Sequence, residues 1–205
     1  MLWNFPAAGS SERGTLPTMI EDLGLSRVEP ERLQRAVREA LGQGSPRLPA
    51  PTTLRRGAEE TKKDEAQDSG LARRFQALLE VGYLVASADG FAEAERHALA
   101  ALLEDATQRT VDHEAFETHF RDLDEACEML GRRERLRRAA EDFEDGPARR
   151  EALGFAVLVA IADGTLGSPE GQALRELGSH LGFDEREIDE AVGDVITSVK
   201  SALRA

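Results

Sequence analysis

The sequence carries one short stretch twice. Residues 83–90 read Tyr-Leu-Val-Ala-Ser-Ala-Asp-Gly, and residues 157–164 read Val-Leu-Val-Ala-Ile-Ala-Asp-Gly, at a constant offset of 74 positions. Each copy is an apolar run closed by Asp-Gly and followed by an acidic segment with helical spacing. A run of that kind reads as the end of a buried helix. The glycine supplies the left-handed residue that commonly closes one, at no steric cost. Beyond the turns, Glu95, Leu99 and Leu102 correspond to Glu170, Leu174 and Leu177 when one residue is gapped. The expected architecture is a duplicated helix–turn–helix, its two central helices side by side about a pseudo-twofold axis.

The rest of the chain fits that frame. Strand signals are absent, and apolar residues from 71 onward recur at three- and four-residue steps. Helices are expected at about 71–88, 92–106, 112–130, 133–143, 148–162, 168–181 and from 184 to the end. The fold class is therefore all-α, a compact bundle of about seven helices. The fifth helix is apolar nearly all round, as a central helix must be. Ser168-Pro169-Glu170 reads as a helix start with Ser168 as cap, and Asp184 with Glu187 as a capping box. Upstream, residues 1–29 are expected to be disordered. Residues 30–42 form a short helix carrying Leu33, Val37 and Leu41. Residues 43–70, with Pro46, Pro49, Pro51 and a charged run, read as a flexible linker. The folded domain is expected over 71–205.

Composition narrows the function. The chain has 39 acidic and 26 basic side chains, a formal charge of −13. Nearly all of that excess lies after residue 70. Such a surface repels phosphate backbones, so nucleic acid is not an expected partner. A single cysteine, Cys127, rules out an intrachain disulfide and reads as a small core residue. No run is long and apolar enough to span a bilayer, and the N-terminus lacks a signal-peptide pattern, so a soluble, cytoplasmic protein is expected. No Gly-x-Ser-x-Gly turn, phosphate-binding glycine loop, His-Glu-x-x-His or Glu-x-x-His motif occurs, so no catalytic residue is nominated. The one basic run spans Arg132, Arg133, Arg135, Arg137 and Arg138. It is followed by Glu141 and Asp142, which points to pairing along the helix, Arg137 with Glu141 and Arg138 with Asp142. The sharper alternative is contact with an anionic lipid or partner surface.

The aspartate of each turn is the odd member. It stands in the last turn of a helix, where free carbonyls and the macrodipole disfavour negative charge. Two compensations are open. Asp89 and Asp163 could accept hydrogen bonds from backbone N–H groups opening the next helix. Alternatively, Asp89 with Glu95, and Asp163 with Glu170, could bind a hard divalent cation such as Ca²⁺ or Mg²⁺, which favour carboxylate and carbonyl oxygens.

The pattern Ala-Asp-Gly, short loop, Glu and apolar helix, twice in an all-helical domain, resembles the TerB-like tellurite-resistance family. The same domain type accompanies some DnaJ-like membrane co-chaperones. The second copy, with Ser168-Pro169-Glu170 and the Leu174, Leu177, Leu181 spacing, is the stronger. No His-Pro-Asp tripeptide occurs, so the J-domain version is disfavoured. The resemblance implies a non-enzymatic helical module with an acidic face, linked to stress or tellurite resistance. It further implies a complex at the inner face of the bacterial membrane with an integral membrane partner. Metal binding carried over from the family maps to Asp89, Glu95, Asp163 and Glu170. The competing reading is a metal-dependent enzyme using the same carboxylates.

Overall fold

The computed structural model describes residues 23–43, 47–61, 70–91, 93–107 and 113–205. Most of the segment expected to be disordered, residues 1–22, lies outside the described residues, as do residues 62–69 of the expected linker. Among the described residues the chain forms nine helices and no strand. They are α1 Pro30–Gly42, α2 Pro51–Glu60, α3 Gly70–Ala86, α4 Glu93–Thr107, α5 His113–Leu130, α6 Arg132–Glu141, α7 Gly146–Ala160, α8 Ser168–His180 and α9 Glu185–Ala202. The last seven are the helices expected from the periodicity, and α1 is the expected short helix.

Helix α7 is the axis of the bundle. Asp145 caps it by accepting from the Ala148 N–H at 2.6 Å, and Pro147 sits in its first turn, where a missing N–H costs nothing. Every residue from 152 to 162 is buried, which explains a helix without a polar face. Helix α3 lies directly against it. Gly82 makes the approach possible: a Cβ there would stand 3.1 Å from Phe155 Cε1 and 3.3 Å from Val159 Cγ2. The two apolar runs of the repeat are thus packed on each other, as the duplication leads one to expect.

Helix α5 closes over the first repeat through aromatic contacts. Tyr83 stacks on Phe120 with centroids 4.3 Å apart and meets Phe91 edge-on at 4.9 Å. Its hydroxyl donates to Asp124 at 2.5 Å, so the one polar atom of a buried ring is satisfied. Cys127, expected in the core, is half-buried at its edge, and that burial pushes its thiol above the ordinary range.

The N-terminal arm departs from expectation. Residues 51–60, read as flexible linker, form α2, which packs on α3 and α4; α1 packs on α4 and α9. The reason is a narrow face of small residues. Leu54, Gly57 and Ala58 are buried, and a Cβ on Gly57 would come within 2.7 Å of Phe75 Cβ and 2.9 Å of the Leu71 carbonyl. A helix with so little to bury still docks when its backbone can approach this closely. The arm's leading residues join the same core: Leu23 and Leu25 are buried, and the Leu25 carbonyl abuts Gly164. Two polar ties reach α9 and its end, Arg32 Nη2 donating to the Leu203 carbonyl at 2.8 Å and Arg47 pairing with Asp194 at 2.8 Å. Leu33, 1 % exposed, anchors α1. Leu33→Ala should therefore cost roughly 2–5 kcal/mol in urea unfolding, the range for a buried leucine, whereas a loosely attached arm would give almost no change.

Candidate functional site

The two Asp-Gly turns have the same backbone. In the first, Ser87 N–H donates to Tyr83, Ala88 to Val85 and Gly90 to Ser87. In the second, Ile161 donates to Val157, Ala162 to Val159 and Gly164 to Ile161, the same three bonds 74 positions on. Gly90 and Gly164 both have positive φ, 117° and 93°, which a side chain at either place would strain. Each turn delivers the chain to a new helix, α4 or α8. Glu95 is the third residue of α4, and Glu170 is the third residue of α8.

These two glutamates are the buried charged side chains of the described core, 2 % and 3 % exposed. Glu170 Oε2 accepts from the Gly167 N–H at 2.6 Å. Gly167, not Ser168, is the cap residue of α8, so the serine expected to cap the helix does not; the Glu170 carboxyl does that work from inside the first turn. Glu170 Oε1 is buried with no N–H or hydroxyl donor, and the Glu95 carboxyl lies beside that of Glu170. Two carboxyls so placed are held together when one carries a proton. Desolvation is the main cause that pushes the Glu170 pKa up, to about 9. Its bond to Glu95 and the charges of Glu95 and Asp89 add to the rise, and only the Gly167 N–H opposes it. Here the two repeats meet.

Asp89 completes the seam from the first turn. It is exposed, and its Oδ2 would be 2.4 Å from a Cβ on Gly167, while Glu170 Oε2 would be 3.2 Å from that same point. The bare Cα of Gly167 is thus the floor of a small cradle between two carboxylates. Asp163 is not brought to it. Its Oδ1 accepts from the Thr165 N–H at 2.7 Å and the Thr165 hydroxyl at 2.8 Å, closing its own turn. That is the backbone compensation anticipated for an acid at a helix end, with the donor lying in the loop. Of the four nominated residues, Asp89, Glu95 and Glu170 converge and Asp163 stays apart. Among the described residues no three histidine, cysteine, aspartate or glutamate side chains are disposed to hold a metal ion together.

The first turn is compensated from elsewhere. Arg132, at the start of α6, donates from Nη1 to the Leu84 carbonyl and to Ser87 Oγ at 2.7 Å, and from Nη2 to the Ser87 carbonyl at 2.9 Å. A guanidinium on the last carbonyls of α3 offsets the negative helix end that Asp89 follows. Sequence reasoning missed this, having assigned Arg132 to a run of helical ion pairs. The rest of the run is mostly consumed internally. Arg135 pairs with Glu80 on α3, Arg137 with Glu134 and Glu141, and Arg138 with Glu134 in place of the expected Asp142. Three of the five arginines of the run thus direct their guanidinium groups to carboxylates of the same chain.

Residues 75–192 match the family described as tellurite resistance protein TerB, more than half of the chain. The chain belongs to the TerB family. Both Asp-Gly turns, Glu95, Glu170 and Arg132 lie inside the matched TerB region, whereas α1 and α2 lie before it. No curated protein and no solved structure gave a match. No described helix is long and apolar enough to cross a membrane.

Proposed function

We propose that this TerB chain is a non-enzymatic module of a bacterial stress or tellurite-resistance complex. It acts by protein interaction at the inner face of the membrane and takes up a divalent cation at the seam between its repeats. The observation that supports the seam as the site is the buried meeting of Glu95 and Glu170, one from each repeat. Two features favour a cation there. The bare backbone of Gly167 lets the Asp89 and Glu170 carboxyls gather within 2.4 and 3.2 Å of one point, and Glu170 Oε1 lacks a fixed donor. Asp89 and Glu170 would be the protein ligands, with Glu95 behind them. Mg²⁺ commonly binds through one or two carboxylates and keeps several waters, so a third protein ligand is not required. The enzymatic alternative gives Asp163 a share in the chemistry, but its carboxylate is engaged by Thr165.

Calorimetric titration of Mg²⁺, Ca²⁺ and Mn²⁺ into the full chain tests the cation. Binding should be lost in Asp89→Asn and Glu170→Gln and kept in Asp163→Asn. Absence of binding at millimolar metal would remove the cation from the function. Co-purification from the native host tests the interaction: a membrane protein or stress-complex component should accompany the chain, and a partner-free protein would count against it.

A further inference from the structure

The cation reading above is the starting point for a second role, that of Arg132. Asp89 faces Gly167 and Glu170 but makes no side-chain hydrogen bond of its own among the described residues. Its position is therefore set by the backbone that carries it. Asp163, its counterpart, is held from within by Thr165. At the place of Thr165 the first repeat has Phe91, which turns into the aromatic cluster with Tyr83 and Phe120. The first turn thus lacks the internal lock and has an external one, the Arg132 fork on Leu84 and Ser87. The second repeat has Ile161 where Ser87 stands, so it offers no hydroxyl to such a fork.

We propose that Arg132 is a positioning residue for the seam: it holds the turn at residues 87–90 so that Asp89 stays opposite Glu170, without itself touching a cation. Position and charge act with opposite sign here. If Arg132 mattered only as a nearby positive charge, removing it would tighten a bound cation. If it holds Asp89 in place, removing it weakens binding, and lysine, with charge but no planar fork, does not restore it.

The test is Mg²⁺ and Mn²⁺ calorimetry on the full chain carrying Arg132→Gln or Arg132→Lys, with thermal unfolding confirming that each variant is folded at the titration temperature. Both should bind about 10-fold more weakly, the lower end for loss of a group that orients a metal ligand. Should Arg132→Gln fail to fold, Ser87→Ala removes one acceptor of the fork and should still weaken binding. Wild-type affinity or tighter binding in the arginine variants, or recovery of wild-type affinity in Arg132→Lys alone, overturns the positioning role alone. A wild-type chain that takes up neither metal overturns the cation reading and this role with it.

Discussion

Gly154→Val should detach the N-terminal arm or prevent the chain from folding. Gly154 lies in the middle of the central helix α7, where glycine weakens a helix by up to about 1 kcal/mol relative to alanine. Its use is the arm. A Cβ there would lie 1.8 Å from the Arg47 carbonyl oxygen and 2.9 Å from the carbonyl carbon, so the chain between α1 and α2 rests on bare helix backbone. The obstructed atom belongs to the main chain and cannot rotate aside. Relief requires shifting residues 47–48, and with them Leu48, 3 % exposed, and the Arg47–Asp194 pair. Overpacking of a core costs roughly 1–3 kcal/mol when side chains can move, and more is expected where backbone must. Urea unfolding with limited proteolysis reads both outcomes. Loss of roughly 3 kcal/mol or more with early cleavage before residue 70 is expected; a wild-type midpoint would show that the arm is not seated on α7.

Glu170→Gln should make the protein more stable in alkali while leaving it folded in acid. Glu170 titrates higher in the folded chain than in the unfolded one, chiefly because burial disfavours its charge. The folded state thus binds the proton more tightly, and ionisation opposes folding. Stability is intact below the ordinary carboxylate range. It declines as pH climbs from there toward about 9, by up to roughly 1.4 kcal/mol per pH unit. Glutamine cannot ionise, can still accept from Gly167 N–H through its oxygen, and offers Glu95 a permanent donor. Unfolding curves at pH 6, 7.5 and 9 in chelator should show the variant gaining on wild type at each step. A constant difference across that range would mean that Glu170 is already charged in the folded protein.

Much of the bundle was legible because apolar spacing and turn chemistry agree locally. Seven helices, the central place of α7, the Asp184–Glu187 box and the equivalence of the two turns all follow from such signals. The arm did not, because its docking rests on close approach. Gly57 and Gly154 carry no packing signal in the sequence, whereas in the fold each admits neighbouring backbone or side chain. The site was half legible. The four acids were visible as a set, but Asp89 and Asp163 stand in identical Ala-Asp-Gly triplets. What separates them lies two residues on, where Thr165 adds a hydroxyl donor to its N–H in closing a turn on its aspartate and Phe91 has no hydroxyl to give. That signal was present and unused. Arg132 had no local signal, since its contacts lie 45 and 48 residues away in the chain.

Paramagnetic broadening of backbone amides by substoichiometric Mn²⁺ tests the seam most directly, because it reports where a cation sits as well as whether one binds. Loss of signal should centre on Gly90 and Gly167, one from each repeat, should be weak near Thr165, and should disappear in Glu170→Gln. Broadening spread over the acidic surface, or centred on Asp163 and unchanged in Glu170→Gln, would contradict a cation site formed between Asp89 and Glu170.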